Sequence, residues 1–360
     1  PAIPAPGPTM AAMNRHLLHA LLAAALFGAS TPLAKMLVGE MAPVLLAGLL
    51  YLGSGLGLTL LRLVRDRGIK PSGLEKPDWP WLLGAIAFGG IMAPVALMFG
   101  LSRTSGSAAS LLLNLETVLT AVIAWTVFRE SVDRRILLGM LAIVAGGVVL
   151  SWPAGGAAAS DWVGPAAIAL ACLCWAVDNN LTRKVSSADA LFVAGSKGLV
   201  AGLVNTSLAL LLGSTLPGMA TFGLTLTLGM LAYGVSLVLF VLALRGLGTA
   251  RTGAYFASAP FMGAALSLTL LGEATTPAFW LATALMAWGV WLHLTERHAH
   301  SHTHDPQTHA HPHEHDEHHQ HTHDFAWDMR KSHNHRHVHS ALTHSHHHFP
   351  DIHHRHPHGG

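Results

Sequence analysis

Long apolar stretches separated by short polar connections dominate the chain from residue 17 to residue 295. A transmembrane α-helix needs about 20 mostly apolar residues to cross roughly 30 Å of hydrocarbon. The pattern therefore predicts an all-α membrane protein with ten transmembrane helices. These helices are predicted at about Leu17–Val38, Pro43–Leu63, Trp79–Leu101, Ser105–Phe128, Ile136–Trp152, Trp162–Thr182, Ala188–Leu212, Thr221–Leu244, Thr249–Leu271 and Pro277–Thr295.

The second half of this pattern repeats the first. A shift of 143 positions places Glu130 on Glu273. The same shift places Gly146 on Gly289. Each unit holds five predicted helices, and because five is odd, the second unit enters the membrane inverted, as in many secondary transporters. The predicted domains are a disordered N-terminus at 1–16, a five-helix repeat at 17–152, a linker at 153–161, a second five-helix repeat at 162–295, and a His-rich, disordered cytoplasmic tail at 296–360.

Composition supports the membrane assignment. Of the 360 residues, 51% are hydrophobic and 11% are charged, and the mean hydropathy is +0.43, which is too apolar for an ordinary soluble domain. The net charge is +2, and 24 of the 27 histidines follow residue 297, so nucleic-acid binding has no support. Cys172 and Cys174 lie two residues apart and face different sides of a helix, which predicts buried packing rather than a disulfide or a redox pair.

Lys and Arg fall mainly on one side of the ten-helix arrangement. That side carries Arg15, Arg62, Arg65, Arg67, Lys70, Lys76, Arg129, Arg134, Arg135, Arg183, Lys184, Arg245, Arg251 and Arg297. Cytoplasmic loops carry the excess of Lys and Arg, so we predict an inner or plasma membrane protein with both termini cytoplasmic. Arg103 and Lys35 are the exceptions. A cleaved signal peptide ending near Ala29 is the alternative for the first helix, although Ala166–Lys184 opens the second unit with a matching segment.

Glu116 lies at the middle of the fourth predicted helix. An ionisable residue at the bilayer midplane costs about 2.5–3.5 kcal/mol on insertion scales, so it needs a partner or a water-filled cavity. One interpretation is a substrate-binding or proton-coupling carboxylate that alternates between protonated and free forms. The other is a structural hydrogen bond or ion pair between helices. We expect Asn114, two residues earlier, to form a hydrogen bond between helices.

A second polar group interrupts the sixth predicted helix. Asp178 and its two neighbours either line a central cavity or form a solvated helix end. Lys197, in the seventh helix, is the expected countercharge of Glu116 or Asp178, or a contact for an anionic substrate group. Asn205 shares a helix face with Lys197. The predicted substrate-binding and coupling residues are Glu116, Asp178, Asn179, Asn180, Lys197 and Asn205.

Glu130 and Glu273 each follow the end of a predicted helix, at opposite membrane faces in the inverted arrangement. A carboxylate is stabilised near a helix N-terminus, where the helix dipole is positive. We therefore predict structural roles for both glutamates, as caps of neighbouring helices.

Several of these features also occur together in a known family. Small residues open the fourth and ninth predicted helices, and the other shared features are Glu130, Glu273, Pro260, Gly139, Gly146, Gly147 and Gly289. Over residues 17–295 the chain resembles the EamA-type, two-repeat form of the drug/metabolite transporter superfamily. The resemblance implies a carrier that exports or exchanges a small molecule, often driven by a proton or substrate gradient, without an ATPase. The chain departs from the pattern at Glu116–Thr117, whose counterpart is Ala259–Pro260, and at Ala47–Leu50, where members often carry Arg.

Histidine alternates with small and polar residues after residue 297. Such a segment cannot bury a core, and neutral imidazole binds Zn, Ni, Cu and Co ions. The candidate metal ligands are His298, His300, His302, His304, His309, His311, His313, His315, His318, His319, His321 and His323. The tail either buffers, senses or delivers a metal, or is a low-complexity or pH-responsive segment.

These observations favour a secondary transporter that exports a small metabolite by alternating access, with proton coupling. The alternatives are a transition-metal transporter for Ni, Co or Zn, and a membrane-anchored metal buffer or sensor without transport. No nucleophile or phosphate-binding loop indicates an enzyme, and no cofactor is required. The expected partners are the lipid bilayer, a small-molecule substrate, transition metals at the tail and, in a homodimer, a second copy of the chain.

Overall fold

The computed structural model describes residues 10–128, 134–152, 162–185, 188–295, 299–304, 307–313, 333–339 and 342–347. The chain forms two compact units, Pro1–Thr295 and Glu296–Gly360. Several predictions fall outside the described residues. These concern the linker at 153–161, Glu130, His298, His315, His318, His319, His321 and His323.

The described part of the first unit is all-α. Its α-helices are α1 (Met10–Val38), α2 (Pro43–Asp66), α3 (Trp79–Ala85), α4 (Ala93–Arg103), α5 (Gly106–Leu112), α6 (Leu115–Phe128), α7 (Arg134–Ser151), α8 (Val163–Thr182), α9 (Ala190–Leu211), α10 (Met219–Gly229), α11 (Ser236–Phe256), α12 (Ala259–Leu271) and α13 (Pro277–Leu294). Two 3₁₀-helices lie at Lys76–Asp78 and Arg183–Val185. Two π-helical turns, Ile86–Met92 and Met230–Val235, join α3 to α4 and α10 to α11.

Nine helical segments within the described ranges are long and apolar enough to cross a membrane. They are Asn14–Val38, Pro43–Asp66, Lys76–Arg103, Gly106–Val127, Arg134–Ser151, Ala190–Leu211, Met219–Leu244, Arg251–Leu271 and Pro277–Leu294. These segments confirm nine of the predicted helices as candidate membrane spans.

The sixth predicted span differs from the other nine. It forms the 20-residue helix α8, but Asp178, Asn179 and Asn180 lower its hydropathy below that of a candidate span. The connection predicted between the eighth and ninth spans also differs, because α11 continues as a helix through residues 245–248. That stretch contains no proline to end the helix.

Side-chain caps fix several helix starts. Ser105 and Thr276 each accept a hydrogen bond from the backbone N–H three residues later, at the starts of α5 and α13. Asp189 does the same at the start of α9. These residues satisfy N–H groups that have no partner inside the helix. At the other end of α12, Gly272 adopts a left-handed conformation with φ of 63°, which glycine tolerates without a Cβ clash.

Glycines allow two helix pairs to pack with their backbones in contact. Helix α2 packs along α9, where a Cβ on Gly198 would overlap the backbone of Gly55. Helix α7 packs along α13, where a Cβ on Gly289 would overlap the carbonyl oxygen of Gly139. Small residues are the usual means of close packing between membrane helices.

The remaining helices surround these two pairs. Helix α1 packs against α11 and α12, and α8 packs against α4 and α6. The Ser236 hydroxyl on α11 donates a hydrogen bond to the Ala23 carbonyl on α1 at 2.9 Å. Cys172 and Cys174 on α8 are buried and free, which confirms their predicted packing role.

In the second unit, four strands have described backbones: β1 (Ala299–His304), β2 (Gln307–His313), β3 (His333–His339) and β4 (Leu342–His347). β1 pairs antiparallel with β4, and β2 pairs antiparallel with β3. The disorder predicted for residues 296–360 stays a prediction.

Candidate functional site

The fourth predicted span is broken at its centre. Helix α5 ends at Leu112, and α6 begins at Leu115. The Asn114 side chain donates a hydrogen bond to the Leu111 carbonyl at 2.8 Å, within its own span. Its Nδ2 also contacts Met286 Sδ on α13 at 4.0 Å, which is the bond between helices that the sequence predicts. The break places Glu116 in the first turn of α6, where the helix dipole favours a carboxylate.

Glu116 contacts the polar group of α8. The Asn179 side chain donates a hydrogen bond to Glu116 Oε1 at 2.8 Å. Thr120 lies one turn after Glu116, with its Oγ1 at 3.5 Å from Asn179 Nδ2. The fourth and sixth predicted spans therefore meet through side-chain polar groups in the middle of the bundle.

Lys197 pairs with Asp178, one of the two partners considered for it from the sequence. Its Nζ lies 2.6 Å from each carboxylate oxygen of Asp178. The Thr182 hydroxyl donates a further hydrogen bond to Asp178 Oδ1 at 2.8 Å. The side chains of Asp178 and Lys197 are 7% and 17% exposed, so the pair is largely removed from solvent. A charge pair in this environment requires good geometry to offset its desolvation.

Two of the predicted site residues bond to backbone carbonyls and not to these charged side chains. The Asn180 side chain is buried and donates to the Ala176 carbonyl at 2.8 Å, one turn earlier in α8, and its Nδ2 lies 3.5 Å from the Thr120 carbonyl oxygen on α6. Asn205 is fully buried, and its amide donates to the Ile91 carbonyl at 3.2 Å. Asn205 instead lines a separate, otherwise apolar cavity of about 770 Å³ between α4, α8 and α9.

The π-helical turn at Ile86–Met92 gathers side chains from two further helices. The Gly89 carbonyl accepts a hydrogen bond from the Tyr51 hydroxyl at 2.9 Å and another from the Trp175 indole N–H at 3.1 Å. A Cβ on Gly89 would overlap the Asp178 carboxylate. Glycine at this position therefore lets the wide turn lie against the Asp178–Lys197 pair.

Six aromatic side chains continue from Trp175 across the bundle, and we call them the aromatic row. The row comprises Trp175, Tyr51, Tyr233, Phe27, Phe256 and Phe240. Trp175 Nε1 lies 3.4 Å from the Tyr51 hydroxyl, and the Tyr51 and Tyr233 ring centroids are 5.7 Å apart. Phe27 lies between Tyr233 and Phe256, at centroid distances of 6.0 and 5.3 Å.

The sequence analysis did not find the aromatic row. Phenylalanine within an apolar span is indistinguishable from a packing or lipid-facing residue. Tyr51, Tyr233 and Trp175 carry a usable signal, because Tyr and Trp of membrane helices usually lie at the interfaces and their polar groups need partners when buried. These three residues lie within their spans instead.

The side chains of Glu116, Thr120 and Asn179 are only partly enclosed by the protein. Asn179 is exposed, and Glu116 and Thr120 are half-buried. Polar groups at this depth do not face hydrocarbon, because lipid offers them no hydrogen bonds. These residues therefore keep part of their surface outside the protein packing.

Two charged residues hold the connection between α4 and α5. Glu273 accepts hydrogen bonds from the backbone N–H groups of Gly106 and Ser107 at 2.6 and 2.8 Å. Lys35 Nζ donates to the carbonyls of Leu101 and Thr104 at 2.6 and 2.8 Å. The prediction that Glu273 caps a neighbouring helix is confirmed. We call this arrangement the Lys35–Glu273 clamp.

Charged residues also join the end of α2 to the start of α9. Asp189 forms ion pairs with Arg62, at 3.4 Å, and with Arg65. Burial raises the pKa of Asp189, but hydrogen bonds from the Arg65 guanidinium and the Phe192 N–H outweigh it, so this pKa lies below its ordinary value. Among the described residues, no group of three His, Cys, Asp or Glu side chains could hold a metal ion.

Comparisons with known proteins cover most of the helical unit. The EamA-like transporter family matches residues 14–152. An "uncharacterized transporter" of Methanothermobacter thermautotrophicus is 26% identical over 282 residues, which cover 74% of this chain and 82% of that protein. A "probable 4-amino-4-deoxy-L-arabinose-phosphoundecaprenol flippase subunit ArnE" of Pseudomonas paraeruginosa is 39% identical over 113 residues, 30% of this chain and 95% of that subunit.

A solved crystal structure shares the fold. Its TM-score is 0.58 at 22% sequence identity, over 79% of this chain and 95% of the solved chain. At this identity, the likeness shows the fold alone.

Proposed function

The chain belongs to the EamA-like transporter family, and from that premise we propose that it is a secondary carrier that exports a small metabolite by alternating access. A transporter role follows from the family and from the nine apolar helices. The proposal adds the mechanism, in which Glu116 binds the substrate or a coupling proton at the centre of the bundle.

The contact between Glu116 and Asn179 carries this proposal. A carboxylate within a membrane helix is costly unless it has a partner or faces a cavity. Glu116 has a neutral amide partner at 2.8 Å and a half-buried surface, while the neighbouring Asp178 is already paired with Lys197. Glu116 is therefore free to exchange a proton or a ligand, whereas Asp178 serves to hold α8 to α9.

The packing of the helices supports two inverted five-helix repeats. The α2–α9 and α7–α13 pairs each join a helix of the first repeat to its own counterpart. Helix α1, which opens the first repeat, packs against α11 of the second, and in the same way α8, which opens the second repeat, packs against α4 of the first. Exchanging the two repeats thus preserves the pattern, as inverted repeats require. We propose that α8 also crosses the membrane, which brings the number of spans to ten. We propose that both termini lie on the cytoplasmic side of the cell membrane.

Glu116→Gln is expected to lower coupled flux about tenfold or more in proteoliposomes, since the amide cannot exchange a proton. The measurement uses vesicles that contain a pH-sensitive dye, to which candidate metabolites are added one by one under an imposed pH gradient. The wild-type protein should move protons in response to at least one metabolite.

Glu40→Gln is the matched control, because Glu40 is exposed and its carboxylate bonds only to the Thr221 hydroxyl among the described residues. This variant should transport like the wild type. If the folded wild-type protein moves no solute under either direction of the gradient, the carrier proposal fails. If a Ni or Zn flux is lost in Glu116→Gln and no metabolite flux is seen, the metal-transporter alternative is favoured instead.

We propose that the tail binds transition metal ions, as its density of histidines suggests. The full chain is expected to bind more than one Ni or Zn ion in calorimetry, and a chain ending at Arg297 is expected to lose this binding. Because only neutral imidazole binds metal, acidification below about pH 6.5 should release the ions. Equal binding by the full and shortened chains would assign the metal to the helical unit.

A further inference from the structure

The net charge of the central site is negative when Glu116 is ionised. Asp178 and Lys197 cancel each other through two contacts of 2.6 Å. The charged side chains that act on Glu116 are those same two residues, and no Lys, Arg or His within the described ranges forms an ion pair with it. The site therefore holds one carboxylate whose charge has no partner.

One end of the aromatic row, Trp175, lies near this carboxylate by way of Asn179. Trp175 precedes Asn179 by one turn of α8, so the two side chains lie on the same helix face. Asn179 in turn bonds to Glu116. Tyr51 contacts Trp175 at 3.4 Å and lies within electrostatic range of both Asp178 and Glu116. The faces of aromatic rings carry partial negative charge and attract cations.

All six members of the aromatic row are half-buried, so each keeps part of its surface outside the protein packing. An apolar solute could lie against this surface while its charged end reaches Glu116. An anion would meet the uncompensated carboxylate, and a neutral solute would leave that carboxylate without a countercharge in a poorly solvated site.

We propose that the substrate of this site is an organic cation, namely a primary or substituted amine whose ammonium group pairs with Glu116 and whose apolar body packs on the aromatic row. This inference rests on the proposed function, because it names the substrate class of the same site. The ammonium group would form an ion pair with the same carboxylate that a coupling proton would neutralise, and the apolar body of the amine would contact the rings.

The test measures equilibrium binding to the full chain in lipid nanodiscs. Three probes share a phenyl ring and differ in charge: 2-phenylethylamine, 2-phenylethanol and 3-phenylpropionate. The amine is expected to bind about tenfold or more tightly than the alcohol and the acid, because it alone provides the countercharge. Empty nanodiscs measure the amount of each probe that enters the lipid.

Variants separate the two parts of the site. Glu116→Gln should weaken amine binding about tenfold, whereas Glu40→Gln should leave it unchanged. Tyr233→Leu removes a ring and should weaken amine binding severalfold, whereas Tyr233→Phe keeps the ring and should recover most of the affinity that Tyr233→Leu loses. The Tyr233 pair keeps the test decisive even if Glu116→Gln fails to fold.

Each contrary result has a defined meaning. Equal or tighter binding of 3-phenylpropionate, an unchanged affinity in a folded Glu116→Gln, or failure of the amine to bind overturns the inference. Metabolite flux in proteoliposomes without amine binding overturns the amine class and leaves the carrier intact. Amine binding without flux of any solute supports the site and overturns the carrier.

Discussion

Replacing Lys197 with methionine is expected to lower the free energy of unfolding by about 3–5 kcal/mol, because it leaves a buried charge without its partner. Asp178 is 7% exposed, and after the substitution only Thr182 would donate a side-chain hydrogen bond to it among the described contacts. The measurement is unfolding of the purified protein in detergent, followed by tryptophan fluorescence. The loss should be among the largest for any single side chain of the central site.

A double substitution tests the cause of this loss. Lys197→Met combined with Asp178→Asn removes both charges, so it should recover more than half of the lost stability. Lys76→Met is the control, since Lys76 is exposed in the first 3₁₀-helix, and its effect should be within about 0.5 kcal/mol. If the double variant is as unstable as Lys197→Met alone, packing of the lysine stem and not its charge explains the loss.

Replacing Glu273 with alanine is expected to lower the free energy of unfolding by about 2–4 kcal/mol. The substitution removes two hydrogen bonds to an ionised acceptor, each worth about 1.5–3 kcal/mol. Because water can then solvate part of the N-terminus of α5, the expected loss is smaller than the sum of the two bonds. Because Lys35 still holds the carbonyls on the other side of the connection, the Lys35–Glu273 clamp should loosen without separating. The same unfolding measurement checks this prediction.

Two variants define how Glu273 acts. Glu273→Gln keeps one acceptor oxygen and loses the charge, so its loss should be smaller than that of Glu273→Ala. Glu40→Ala removes an exposed glutamate with one hydrogen bond and should change stability by less than about 1 kcal/mol. Equal stability of Glu273→Ala and the wild type would mean that water replaces both bonds and that the clamp adds nothing.

Hydropathy located nine membrane spans because length and apolar content alone specify a helix that must cross hydrocarbon. The repeat stays a prediction, which rests on the recurrence of residues such as Glu130 and Glu273 at a separation of 143 positions. Hydropathy did not predict the break between α5 and α6, because Leu113 and Asn114 are neither proline nor glycine. That break depends on tertiary contacts, which one sequence does not display.

The charged residues of the site were found by the same argument that found the spans. Glu116, Asp178 and Lys197 stand out because a charge within an apolar segment is rare. Which of the two acids pairs with Lys197 depended on helix positions that the sequence left open. Asn205 was grouped with them by helical spacing, but eight residues separate it from Lys197 along α9, and it bonds to Ile91 instead.

The π-helical turn at Ile86–Met92 makes the packing of its span depend on the number of residues in that span. Its Gly89 and Ile91 carbonyls accept hydrogen bonds from side chains on α2, α8 and α9. Deleting one residue from the turn would restore ordinary helical hydrogen bonding and remove the displaced carbonyls to which these side chains bond. Surface loops of most proteins tolerate gains and losses of residues. In this member of the transporter family, one membrane helix must keep its number of residues so that side chains on three other helices can bond to its carbonyls.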